Sequence, residues 1–273
     1  MKVAKTNDRQ LGLRLATNSA KALYQRFGIQ RPEHINVPAI ATALGVKIVE
    51  GKLDGAQARL LHGPVPTIRV SNAVPVEEQR FGIAHELGHH VGDHPPAQVD
   101  ALCQRGQVRP VPKGYKRHPE AEANRFAAEL LLPSTLLAKR FDTERPHLDH
   151  VRAIASEYHV PLLCAAIRQC ELTSERCCAV YSEHGKIIWA VNSATFTPKI
   201  ARGRLIDARA VAYDYQLKGR LDERSQPISA SAWLATEEDV DLVEHSIVVP
   251  ATRGVLTLLW VPEAVAEQLD MAG

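Results

Sequence analysis

The sequence predicts an α+β protein, and three observations carry that reading. Short runs with β-branched residues, separated by glycine-containing turns, occupy residues 46–70 and lead into a helical pattern that contains His85-Glu86-Leu87-Gly88-His89. Two further helical runs lie close together within residues 148–170. Beyond about residue 175 the pattern turns mostly to strands. The expected organisation is a domain over residues 1–145 with a small β-sheet and an H-E-x-x-H helix, a helix-turn-helix-like segment over 146–175, and a C-terminal α/β module over 176–273.

In chain order, apolar residues recur at helical spacing from Ser19 to Phe27 and from Val37 to Leu44, and the runs close on Gly28 and Gly45. Residues 46–49, 56–61 and 67–70 read as three strands. Asn72 opens the next helix, with Pro75, Glu77 and Glu78 in its first turn, where a proline is tolerated and carboxylates complement the positive helix end. That helix is expected to reach Gly92. From Asp93 to Pro119, the prolines Pro95, Pro96, Pro110, Pro112 and Pro119 mark a long loop. A helix from Glu120 to Leu132 follows, bounded by Pro119 and Pro133. Residues 148–158 and 162–170 form the helix pair, broken at His159-Val160-Pro161. In the last module, residues 186–191, 228–233, 246–249 and 255–261 read as strands, with one helical run between Arg204 and Leu217.

Composition excludes several classes. With 45% hydrophobic and 23% charged residues over 273 positions, the chain has the balance of a folded protein that buries a core without staples. A formal charge of +2 is too small to draw in nucleic acid or a membrane surface at long range. No run approaches the roughly 18 apolar residues of a membrane span, and the start, Met1-Lys-Val-Ala-Lys-Thr-Asn-Asp-Arg, has no apolar signal core, so a cytoplasmic protein is expected. Cys103, Cys164, Cys170, Cys177 and Cys178 contain no C-x-x-C pair and read as reduced thiols.

The chemistry is expected at His85-Glu86-Leu87-Gly88-His89. Two histidines four residues apart project from one helix face, so both imidazoles reach a single ion. Imidazole suits zinc, which keeps an open position for a water; manganese remains the alternative ion. Glu86 is then placed to take the water's proton and return it to a leaving amine. Chance alone produces this pattern in roughly 4 of 100 such chains, so its setting matters: Ile83, Leu87 and Val91 give the helix a buried side.

A third protein ligand is needed. In the helix from Glu120, the residues Ala123, Phe126, Ala127, Leu130 and Leu131 define one apolar stripe. Glu120 falls within it, whereas Glu122 and Glu129 are expected to point to the side or the back. An inward carboxylate calls for a partner, which makes Glu120 the expected ligand and Glu122 the alternative.

These two segments, Arg80-Phe-Gly-Ile-Ala-His-Glu-Leu-Gly-His89 and Glu120-Ala-Glu-Ala-Asn-Arg-Phe-Ala-Ala-Glu-Leu-Leu-Leu-Pro133, resemble the ImmA/IrrE metallopeptidases. The resemblance extends from about residue 17 to about residue 170. It implies a cytosolic zincin-like domain in which His85, His89 and Glu120 bind zinc and Glu86 is catalytic. It also implies that the protein makes limited cuts in a helix-turn-helix transcriptional repressor, releasing stress-response genes. The rival reading is a regulatory protein that binds a repressor or DNA, its metal only structural; a third is a metal hydrolase acting on non-peptide bonds.

In the second helix of the pair, Arg168 and Gln169 are the only polar base-reading candidates, so direct DNA binding is not expected. Arg105, Arg109, Lys113, Lys116 and Arg117 make the long loop basic, either a lid or a solvated surface. His90 lies a further 100° round the helix and His94 lies beyond Gly92, so neither is expected to ligate; His94, Tyr115 and His118 are candidate donors to an oxyanion.

Overall fold

The structure, a computed structural model, describes residues 2–95, 119–143, 145–236, 238, 240–250 and 252–270. It resolves into two compact units: Met1–Leu136 with Ala155–Cys164, and Leu137–Ile154 with Ala165–Gly273. No described helix is long and apolar enough to cross a membrane. The mixed α+β class expected from the sequence is what the elements display.

The first unit opens with α1 (Lys2–Phe27), which starts far ahead of the expected Ser19 because no proline interrupts the preceding residues. Of its apolar residues there, Leu11 and Leu15 are exposed while Leu13 and Ala16 are half-buried, so no regular apolar stripe marked this part of the helix. α1 ends where Gly28 takes φ +63°, and the Ile29 amide reaches back to the Tyr24 carbonyl at 2.9 Å. After α2 (Val37–Ala43) come β1 (Lys47–Gly51), β2 (Ala58–Leu61) and β3 (Thr67–Ser71), in the order β1-β3-β2. β3 runs parallel to β1 and antiparallel to β2, and its central position buries Ile68 and Val70.

α3 (Val76–Val91) packs on β2 and β3; α4 (Pro119–Leu131) packs against both α3 and α1. The sequence placed Glu122 and Glu129 off the buried stripe of α4, and here the structure corrects it. Glu120, Glu122 and Glu129 are all buried, because α1 covers the flank the stripe left open. The Tyr24 hydroxyl donates to the Glu129 carbonyl, and Glu129 Oε1 accepts from the Ser134 hydroxyl and amide at 2.7 and 3.1 Å. The chain continues through α5 (Ser134–Thr143), α6 (Leu148–Tyr158) and α7 (Leu162–Leu172).

The second unit is built on a five-stranded sheet, β5-β4-β8-β7-β6, of β4 (Cys177–Glu183), β5 (Lys186–Asn192), β6 (Gln226–Ser229), β7 (Asp241–Val249) and β8 (Gly254–Trp260). Every pairing is antiparallel, which corrects the expected α/β module to α+β. The helix expected over residues 204–217 is also replaced. The Ile206 amide binds the Gly185 carbonyl at 2.9 Å, and the Val211 and Ala212 amides donate to Glu244 at 3.1 and 2.8 Å. Helix therefore begins only with the turn Val211–Tyr213 and α8 (Asp214–Lys218). Of the predicted strand 228–233, Ile228 and Ser229 belong to β6, and the rest gives way to a single turn at Ala230–Ala232; α9 (Glu263–Asp270) follows β8. Its core gathers around the fully buried Trp233.

Candidate metal centre

α3 and α4 meet almost backbone to backbone at Gly88, where a Cβ would lie 2.8 Å from the Ala123 Cα and 3.0 Å from its carbonyl oxygen. This close approach leaves His85 and His89, on one face of α3, opposite the start of α4. Nε2 of His85 and Nε2 of His89 are 3.0 Å apart. Glu120 lies 3.3 Å from the first through Oε2 and 3.1 Å from the second through Oε1. The three residues form a group whose ligand atoms all lie within 4.8 Å of one another. Glu122, the alternative ligand, is elsewhere: its Oε2 is 3.3 Å from His94 Nε2.

A tetrahedral zinc with bonds of about 2.0–2.1 Å spaces its ligands about 3.3 Å apart. The observed separations of 3.0, 3.1 and 3.3 Å match that spacing, so the donor set fits such an ion. The electrostatics agree. Burial disfavours charge on Glu120, yet the hydrogen bonds and charge of His85 and His89 hold its carboxyl well below the usual range. Burial likewise opposes a charged His85, but Glu120, Glu86 and Asn124 together raise its pKa. Both shifts arise because positive charge beside this carboxylate is favourable, and a divalent cation supplies it.

The groups behind the ligands orient them. His85 Nδ1 lies 2.9 Å from the Asn124 side-chain oxygen, so it carries a hydrogen, and Nε2 is the nitrogen a neutral ring would present to an ion. Glu86 is 1% exposed, and its Oε2 accepts the Leu60 amide at 3.0 Å. His94, a candidate oxyanion donor, instead has its Nδ1 2.9 Å from His89 Nδ1, behind the ligand. His90 is outside the cluster. Tyr115, His118, Arg105, Arg109, Lys113, Lys116 and Arg117 lie outside the described residues.

Sequence reasoning missed Asn124, Leu60 and the contact of His94 with Glu122. For Asn124 a signal existed, since it stands four residues after Glu120 on the same helix face. Leu60 acts through its backbone amide, which no side-chain pattern reports. In the second unit, Arg168 and Gln169 are 2% and 0% exposed and so unavailable to base edges.

A second group, His147, Asp149 and His245, also lies within ligand distance. It caps a helix instead: the Leu148 and Asp149 amides, in the first turn of α6, donate to Nδ1 of His245 and of His147 at 3.1 and 3.3 Å. The positive helix end opposes a cation there.

Residues 41–169 match the model of the M78 peptidase family, described as the IrrE N-terminal-like domain. No curated protein sequence matches the chain. Among solved structures, a Mycobacterium tuberculosis transcriptional regulator is similar over 93% of this chain and 78% of its own, with a TM-score of 0.61 and 12% sequence identity. At that identity the likeness concerns the fold.

Proposed function

Because residues 41–169 match the IrrE N-terminal-like domain of the M78 peptidase family, we propose that this chain is a zinc-dependent endopeptidase making limited cuts in a protein substrate. The observation that carries the proposal is the triangle of His85, His89 and Glu120 at 3.0–3.3 Å with Glu86 anchored nearby by the Leu60 amide. His85, His89 and Glu120 hold the ion, with manganese accommodated by the same donors. When bound, zinc polarises a substrate carbonyl and makes water acidic near neutral pH.

Glu86 acts as the general base and then as the acid, taking a proton from the attacking water and giving it to the leaving amine. Its Leu60 hydrogen bond fixes one oxygen and so aims the other. The Gln57 carbonyl accepts from the Ser71 amide at 2.7 Å, so Arg59 and Leu61 also face β3, and the backbone groups of Ala58 and Leu60 point to the opposite side of β2, where the Leu60 amide reaches Glu86.

Catalysis resides in residues 1–145 in this reading, and neither 146–175 nor 176–273 supplies a residue of the site. The finer assignment of the substrate as a helix-turn-helix repressor, and of the protein to transcriptional stress control in the cytoplasm, follows from the ImmA/IrrE resemblance. The test is Glu86→Gln beside the wild type, with zinc content and cleavage of candidate repressors as readouts. The variant should retain about one zinc per chain and cut nothing. Unimpaired repressor control by this variant would instead favour the binding-protein reading with a structural metal.

A further inference from the structure

Behind His89 runs a chain of hydrogen bonds that the proposed chemistry does not use. Nδ1 of His89 is 2.9 Å from Nδ1 of His94, and Nε2 of His94 is 3.3 Å from Oε2 of Glu122. The three residues are 0%, 6% and 5% exposed, so water does not loosen the chain. Local structure places each member. After α3 ends, Asp93 takes φ +49°, and the His94 amide returns to the His89 carbonyl at 3.1 Å, folding the His94 ring back under the helix end. Glu122 comes from α4, two residues beyond Glu120, on the flank covered by α1.

The direction of the hydrogen bonds is decided at Glu122. A carboxylate only accepts, so His94 Nε2 carries a hydrogen and donates to it, leaving His94 Nδ1 with a lone pair. With both rings neutral, as metal binding requires, that lone pair accepts from His89 Nδ1–H, and His89 Nε2 would present its lone pair to an ion held with His85 and Glu120. The reversed order sets a lone pair of His94 against the carboxylate. It also puts a hydrogen on His89 Nε2, in the centre of the donor triangle.

We propose that His94 and Glu122 are positioning residues that set the tautomer and ring orientation of His89, so that a distant carboxylate selects the metal-binding nitrogen through an intervening imidazole. The proposal rests on the metal-centre reading above. It assigns the two ligand histidines unlike supports: an amide oxygen behind His85 and a histidine–carboxylate pair behind His89.

The experiment measures the zinc dissociation constant of the full chain by competition with a chromophoric chelator. It compares wild type, Glu122→Gln, His94→Gln, the double variant and His89→Ala, with circular dichroism of each metal-free protein and the visible spectrum of each cobalt-loaded one. Glu122→Gln and His94→Gln should each weaken zinc binding about 10–100-fold. They should shift the cobalt bands with the fold intact, and the double variant should be no weaker than the worse single one, as expected of one chain. Wild-type affinity within twofold in both folded single variants, with zinc lost in His89→Ala, would overturn the positioning role alone. A wild type that binds no zinc overturns the metal-centre reading and this proposal with it. If one single variant fails to fold, the other decides by the same criterion.

Discussion

Replacing Gly88 by alanine tests whether the α3–α4 contact builds the metal centre. In an exposed helix this change is stabilising by about 0.5–1 kcal/mol, because alanine restricts the unfolded chain and favours helix. At Gly88 the new methyl would meet the Ala123 Cα at 2.8 Å, the Ala123 carbonyl oxygen at 3.0 Å and the Phe126 Cβ at 3.2 Å. None of these can rotate away, so relief requires the helices to separate by roughly 0.5 Å, and overpacking of this kind costs about 1–3 kcal/mol. Set against the propensity gain, the expected net loss is about 1–2 kcal/mol, a fall of roughly 2–8 °C in melting temperature for a unit of this size. The separation also moves Glu120, three residues before Ala123, away from His85 and His89. Zinc affinity should therefore fall about 10-fold or more, since donor geometry must hold within tenths of an ångström. Calorimetry of the metal-free protein and chelator competition read the two effects. An unchanged or higher melting temperature with wild-type zinc affinity would refute the reasoning.

Three further outcomes are expected. Removing zinc with a chelator should lower the melting of the first unit by an amount that grows with the logarithm of free zinc, about 2.7 kcal/mol at a hundredfold excess over the dissociation constant; a melting curve indifferent to zinc would count against the site. Glu244→Ala should destabilise the second unit by about 3–5 kcal/mol, because the Val211 and Ala212 amides, the Trp233 indole and the Ser246 hydroxyl all donate to this buried carboxylate. Denaturant titration followed by tryptophan fluorescence measures that loss, and one below about 1 kcal/mol would contradict it. Burial, and then the neighbouring His147, push the pKa of His245 down from 6.5 to about 4. Between those values the unfolded chain binds more protons than the folded one, so the contribution is constant above pH 6.5 and is lost as pH falls towards 4. The unfolding midpoint of the second unit should follow that slope, and His245→Gln should flatten it.

Elements whose signals are local were legible from the residues alone. The helical pair of imidazoles at His85 and His89, the inward Glu120 and the prolines bounding its helix are short-range patterns, and the structure brings those three side chains together. Strands β1, β2 and β3 were legible for the same reason, as β-branched runs cut by turn residues. β4 was not: it lies between β5 and β8, its residues from Cys177 to Ser182 are buried on both faces, and alternation vanishes. Which partners reach a segment from afar depends on the folded chain. α1 covers the flank of α4 and so buries Glu122, and Glu244 captures the amides of Val211 and Ala212 before a longer helix can use them. Periodicity reports which face of an element is apolar. It does not report what packs on the other faces or which distant carboxylate satisfies a backbone amide, and the orientation of His89 and Glu86 depends on both.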